Sequence, residues 1–325
     1  MLIIIAAVIG ICCQPAYSQG FSGLVAFGDS LSDLGNTIAK VGDTLTGYNS
    51  YYYDQGRYSN GPVWAENLAR QLFLSALQRN DGTNLYGTDF AWAGSTSGTG
   101  YTYDLLANLQ EQVKFYLALL TTKYAQMPDI KTALFTVWSG GNDVIYYTED
   151  DTAITAQKMC DNIADAVTAL YNAGGRNFIV PNLPPLGDKP NYRNTKYQAK
   201  ANGLVNTYNA LLQTRLSLLQ SQLTGITIIA FDAHQVFKTV LMNPKAYNLT
   251  NVTVPAFTSN DYLSEHYGSV VANPDQYLFW DDTHPTRMGH AIIAQVLDDA
   301  VAATFGSQLG RGSQPTSALL LAGSQ

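Results

Sequence analysis

Short apolar runs alternate with longer amphipathic stretches along most of the chain. Leu24 to Phe27, Asp89 to Trp92, Ala133 to Trp138, Phe178 to Pro181 and Ile226 to Phe231 read as strands, short and rich in apolar residues. Stretches with a helical period lie between and after them: Pro62 to Leu72, Leu105 to Tyr124, Thr152 to Tyr171, Lys196 to Leu223 and Pro285 to Phe305. Pro62 suits a first helical turn, where its missing N–H costs nothing, and Gly174-Gly175 ends the third helix. The alternation predicts βαβ units and an α/β fold, a three-layer α/β/α sandwich around a parallel sheet of about five strands. No repeat, low-complexity tract or long linker interrupts it, so residues 19–305 are expected to form a single domain.

Two stretches fall outside the pattern. Leu241 to Leu278 is polar, carries Pro244, Pro255 and Pro274, and holds no sustained period; it is expected to be a long functional loop. Residues 306–325 are rich in Gly, Ser and Ala and are expected to be a disordered C-terminal tail. At the other end, Leu2 to Cys13 is an apolar run followed by the small residues Ala16 and Ser18, before Gln19 or Gly20. Its length suits a secretory signal peptide over 1–18 and is too short to span a bilayer. The protein is therefore expected to be secreted, without stable membrane anchoring.

Loss of that segment removes Cys12 and Cys13 and leaves Cys160 alone, so the fold must be held by its core, not by a disulfide. Cys160 lies in a helical pattern and reads as a small buried apolar side chain. A net charge of −7 argues against binding nucleic acid or anionic membranes. Charged residues are only 13% of the chain while tyrosines number 21, which suits an extracellular surface and, equally, a core using tyrosine. Two glycosylation sequons, at Asn248 and Asn251, sit in the polar stretch after Pro244.

Candidate chemistry lies at two points. Ser30, in Gly28-Asp29-Ser30-Leu31, follows the first expected strand, where an open α/β sheet binds its ligands. A serine there can be a nucleophile near helical N–H groups, or simply a helix cap. Far downstream, Asp281 and His284 stand three apart at a strand-to-helix junction. A carboxylate at that spacing can orient the imidazole, which can then take a serine proton. Alternatively Asp281 or Asp282 caps the helix that begins near Pro285.

Four blocks in order, Gly28-Asp29-Ser30-Leu31, Gly94, Gly140-Gly141-Asn142-Asp143 and Asp281-Asp282-Thr283-His284, resemble those of the GDSL or SGNH hydrolases. The flanks Gly56 to Pro62, Asp89 to Gly94 and Pro181 to Gly187 extend the likeness from Leu24 to about Ala303, most in the style of secreted fungal carbohydrate acetylesterases. The resemblance implies a flavodoxin-like strand order 2-1-3-4-5, with Ser30, His284 and Asp281 as catalytic residues. It implies an oxyanion hole from the Ser30 N–H, the Gly94 N–H and the Asn142 side chain, although Ala93 and Ser95 leave the middle donor open by one position. The implied reaction is ester hydrolysis through an acyl-serine, with acetyl groups on hemicellulose-derived carbohydrate as the leading substrate. A lipase or general carboxylesterase with a longer acyl preference is the alternative, and a non-catalytic carbohydrate-binding protein a remote one. The chain departs from the pattern in lacking a cysteine pair between Val254 and Pro274, and in placing Trp92-Ala93-Gly94 where a Gly-Gly pair is usual. His234, His266 and His290 carry no metal-ligand spacing, so no metal and no cofactor are expected.

Overall fold

A computed structural model describes residues 20–42, 50–147, 151–259, 268–306 and 309. The expected signal peptide and most of the expected tail lie outside these residues, as does His266. Four parallel strands form the central sheet: β1 (Leu24–Gly28), β4 (Leu134–Trp138), β5 (Asn177–Pro181) and β6 (Thr227–Phe231), adjacent in that order. The register aligns Leu24 with Leu134 and Gly28 with Trp138, so β1 and β4 end level with one another.

Successive side chains of a strand point to opposite faces, and both faces here are buried. Val25, Phe27, Phe135, Val137, Phe178 and Val180 pack on the helices Leu109–Leu120, Thr152–Asn172 and Tyr197–Gln222. Leu24, Ala26, Leu134, Trp138, Ile179 and Phe231 face the helices Trp64–Gln71, Ala233–Met242 and Arg287–Phe305. The result is the three-layer α/β/α sandwich.

The expected strand Asp89 to Trp92 is reduced to isolated parallel bridges at Asp89, one to Ala26 of β1 and one to Arg79. It still runs along the free side of β1, through Ala26 N–H to the Thr88 carbonyl (2.9 Å), Phe90 N–H to Ala26 (2.8 Å) and Trp92 N–H to Gly28 (3.1 Å). The ladder stops short because the Gly28 N–H, which would continue it, donates instead to Gln112 Oε1 at 2.9 Å. The Asp89 carboxylate meanwhile accepts from the N–H of Leu34 at 2.9 Å and of Ala91 at 3.2 Å. With this segment counted as the second strand along the chain, the order across the sheet is Asp89 to Trp92, β1, β4, β5 and β6, the 2-1-3-4-5 arrangement that the resemblance implies.

Element ends differ where side chains or tertiary pairing compete with the helix. The helix expected from Leu105 begins only at Leu109, because Leu106–Ala107 (β3) pairs antiparallel with Tyr101–Thr102 (β2). The last helix starts at Arg287, capped by Thr286 Oγ1, which accepts from Gly289 N–H at 3.1 Å. Neither Asp281 nor Asp282 caps it. Three shorter helices, Asn36–Val41, Gly141–Tyr147 and Ala233–Met242, were too brief or too mixed to show a period in sequence. The long loop is more ordered than its composition suggests, with a 3-10 turn at Pro244–Tyr247 and strands β7 (Phe257–Ser259) and β8 (Gly268–Val270) paired antiparallel. In the same loop the Tyr52 hydroxyl clamps Gly268, donating to its carbonyl at 2.8 Å and accepting from its N–H at 3.1 Å.

Candidate active site

The carboxyl end of β1 turns sharply after Gly28. Asp29 closes the turn, its carbonyl accepting from the N–H groups of Ser32 (2.9 Å) and Asp33 (3.0 Å) and its Oδ1 from that of Leu31 (3.1 Å). Ser30 is left half-buried at the tip. Only glycine fits at position 28, since a Cβ there would lie 2.3 Å from the Trp138 carbonyl oxygen. Buried Gln112 reaches in from the helix Leu109–Leu120: its Oε1 accepts from Gly28 N–H (2.9 Å) and its Nε2 donates to Gly28 O (2.8 Å). The turn is thus tied to a second helix by its own backbone.

Some 250 residues later, Trp280 N–H donates to the His284 carbonyl at 2.7 Å and closes a loop around Asp281. His284 Nε2 lies 2.9 Å from Ser30 Oγ, and His284 Nδ1 lies 2.7 Å from Asp281 Oδ2. Asp281 Oδ1 also accepts from the backbone N–H of Thr283 (2.8 Å) and His284 (2.7 Å), and Oδ2 accepts from the Tyr53 hydroxyl (2.9 Å). Burial pushes the Asp281 carboxyl up, but the His284 charge and these bonds outweigh it and hold the group below the ordinary carboxylate range. An ionised Asp281 accepts the Nδ1–H, a tautomer assigned from the pairing, and so leaves Nε2 to take the Ser30 proton. The Tyr58 ring covers the imidazole, with centroids 5.1 Å apart.

Across Ser30 lie the candidate oxyanion donors. The Ala93 N–H is taken up by Asp33 Oδ2 (2.9 Å) and Thr37 Oγ1 (2.8 Å), and the Ser95 N–H by the Trp92 carbonyl (3.1 Å). Of the three adjacent N–H groups, Gly94 is the one with no such partner among the described residues, and its φ of +82° is a conformation that favours glycine. Asn142, in the first turn of Gly141–Tyr147, donates one amide hydrogen to the Ser95 carbonyl at 2.8 Å. That bond orients the side chain and leaves its second N–H for the cavity it lines.

The model of the GDSL-like lipase/acylhydrolase family matches residues 24–297. The chain belongs to that family. It is a carboxylic ester hydrolase with a serine nucleophile. Among relatives of this GDSL hydrolase, a phosphatidylcholine-sterol acyltransferase of Aeromonas hydrophila is 30% identical over 91% of the chain and 84% of its own length. A thermolabile hemolysin of Vibrio parahaemolyticus is 28% identical over 84% of the chain, which spans 62% of the hemolysin's length. A carbohydrate acetylesterase of Sinorhizobium meliloti superposes with a TM-score of 0.47 at 16% identity, over 86% of this chain and 98% of that one.

A cavity of about 510 Å³ opens at Ser30 in this GDSL hydrolase. Its walls are largely apolar, with Leu31, Leu106, Ile145, Phe237, Leu241 and Phe279 contributed by separate segments of the chain. Two ionisable groups beside it were not singled out from sequence. Asp29, beneath Ser30, is pushed up to about 6 by burial. Lys189 lines the cavity, donates to Thr283 Oγ1 at 3.3 Å and sits over the Tyr192 ring at 4.2 Å. Burial lowers Lys189 to about 8, against the pull of Asp281 and Asp282.

Tyr53 and Tyr58 also escaped the sequence reading. The only signal was their place in the Tyr51-Tyr52-Tyr53 run and the Gly56 to Pro62 flank. Of the remaining candidates, Asn248 is exposed, whereas Asn251 is half-buried with its Oδ1 accepting from the N–H of Thr253 and of Val254, each at 3.0 Å. Cys160 is buried, and His234 Nδ1 lies 3.3 Å from the Leu183 carbonyl. Among the described residues no group of His, Cys, Asp and Glu could hold a metal ion, and no helix is long and apolar enough to cross a membrane.

Proposed function

We propose that Ser30 is the nucleophile, His284 its base and Asp281 the group that orients and stabilises the imidazolium, and that the substrate is an ester whose acyl chain is longer than acetyl. His284 Nε2 takes the Ser30 proton as Oγ attacks the acyl carbon. The oxyanion is met by the N–H groups of Ser30 and Gly94 and by the Asn142 amide, donors already fixed before charge develops. His284 then protonates the departing alcohol and activates water to release the acid.

The observation that carries the acyl preference is the apolar cavity at Ser30, whose size suits a chain of several methylenes, each worth up to ~0.8 kcal/mol when buried. The acyltransferase relative, named for phosphatidylcholine and sterol, supports the same direction. Deacetylation of carbohydrate remains the second reading, favoured by Tyr103 and Tyr146 on the cavity wall. The proposal includes secretion after removal of residues 1–18, a single catalytic domain over 19–305, and glycosylation at Asn248 ahead of the half-buried Asn251.

Hydrolysis of p-nitrophenyl acetate, butyrate and octanoate tests it, with Ser30→Ala as the control. We expect kcat/KM to rise from acetate to octanoate and activity to vanish in Ser30→Ala. Acetate preferred over octanoate sinks the long-acyl reading and supports deacetylation, whereas undiminished turnover in the variant overturns the assignment of Ser30.

A further inference from the structure

A second cleft, of about 960 Å³, adjoins the catalytic cavity and shares two wall residues with it, Tyr103 and Tyr146. Their rings meet edge to face, with centroids 6.3 Å apart. The rest of its lining is rich in neutral hydroxyl and amide groups, among them Thr99, Thr102, Thr155 and Asn162, with Tyr101 beside them. Tyr103 is 72% exposed and Tyr101 46%, so two aromatic faces are turned to solvent beside a wall of hydrogen-bonding groups. The charged residues there are Asp143, Asp151 and Lys158, a net negative set that does not suit a phosphate.

The backbone supplies an independent observation. Leu105 N–H donates to the Thr102 carbonyl at 3.2 Å, closing a tight turn between β2 and β3. Its two central residues, Tyr103 (φ +51°) and Asp104 (φ +57°), are both left-handed. Turns of this type are ordinarily built from Gly and Asn, and a bulky aromatic at such a position is uncommon. A strained position held by an exposed ring points to a use for the ring itself. The turn is anchored: Asn108 Oδ1 accepts from Thr102 Oγ1 (2.7 Å) and from Thr96 N–H (2.8 Å), so Tyr103 is presented from a fixed base.

We propose that this cleft holds the alcohol half of the ester, and that the alcohol is a neutral, hydroxyl-rich group of the glycosyl class stacked on Tyr103. An aromatic face packs against the C–H groups of a sugar ring while threonine, asparagine and tyrosine groups meet its hydroxyls. The inference rests on the proposed catalytic role of Ser30 and on the acyl chain filling the apolar cavity. The two clefts then flank the scissile bond, one for each half of the substrate.

The test compares 6-O-octanoyl-glucose with p-nitrophenyl octanoate, which share an acyl chain and differ in the alcohol. Tyr103→Gly removes the ring and suits the left-handed backbone, so its melting temperature should not fall; Tyr103→Phe keeps the ring. We expect Tyr103→Gly to lower kcat/KM for the sugar ester by about five- to tenfold more than for the p-nitrophenyl ester, mainly through KM, while Tyr103→Phe holds the ratio within about twofold. An equal change on both esters overturns the subsite. Calorimetric titration of 6-O-octanoyl-glucose into Ser30→Ala, with and without Tyr103→Gly, needs no turnover and so separates failure of the subsite from failure of the catalytic assignment. Affinity independent of Tyr103 overturns the proposal, and so does tighter binding of 1-octanoyl-glycerophosphocholine than of the sugar ester.

Discussion

At the scale of single residues the site depends on a few donors and on charges held away from water. Asn142 is positioned by its bond to the Ser95 carbonyl, and Asn142→Ala should lower kcat about 10²–10³-fold with little change in KM, measured by steady-state kinetics on a p-nitrophenyl ester. His290 poses a different question, one of stability. It is buried on the last helix, accepts from Trp64 N–H at 3.3 Å, and has no hydrogen-bond partner at Nε2 among the described residues. Burial, with a smaller contribution from the His284 charge, lowers it from 6.5 to about 3. Between those values the unfolded chain binds a proton that the folded chain does not, so this group makes stability fall as pH drops below about 6.5. The loss attributable to His290 should reach about 2 kcal/mol by pH 5. Denaturant titrations from pH 7 to 5 should therefore show a shallower decline for His290→Gln than for the wild type.

At the scale of elements, the nucleophile turn is held from outside its own strand. Gln112, on the helix Leu109–Leu120, bonds both backbone groups of Gly28 and also donates to the Ala107 carbonyl at 2.9 Å. Gln112→Ala should leave the Gly28 N–H buried without its partner, while the Gly28 carbonyl keeps the Trp92 N–H and the Ser95 hydroxyl. The loss should cost about 1–3 kcal/mol in urea unfolding, with a fall in kcat as Ser30 loses its fixed position. The segment Thr88 to Trp92 acts in the same way on the opposite side. Through Asp89, Asn36 and Asp33 it fastens the Ser30 loop to the Ala93-Gly94 loop, with Asn36 Nδ2 donating to the carbonyls of Asp89 and Ala91, each at 2.9 Å. The bonds from Asn36 to this segment, from Asp89 to Leu34 and from Ala93 to Asp33 each span more than fifty residues, which is why the element that carries them reads as a plain strand.

At the scale of the molecule, the cavity exists because the sheet ends level at β1 and β4 and loops from distant parts of the chain wall it in. Leu241, at the end of the helix Ala233–Met242, is one such wall. Leu241→Trp should fill part of the space and lower kcat/KM for p-nitrophenyl octanoate about tenfold while affecting acetate far less, because only the longer chain needs the volume. An equal loss on both esters would show that the acyl chain lies elsewhere.

The order of layers, the places of the main strands and helices, and the identities of Ser30, Asp281, His284 and Asn142 as candidates were legible in the chain by itself. Apolar runs and helical periods are local properties, and chemically demanding positions tolerate few residue types. Tertiary structure alone decided which backbone donor beside Ser30 is left without a partner, since that turned on Asp33 and Thr37 claiming the Ala93 N–H from some sixty residues away. It also decided that Tyr53 supports Asp281 and that Gln112 holds Gly28, and it set the shape of the cavity and the exposure of Tyr103. Those features arise from contacts between segments far apart in sequence, and no local pattern records them.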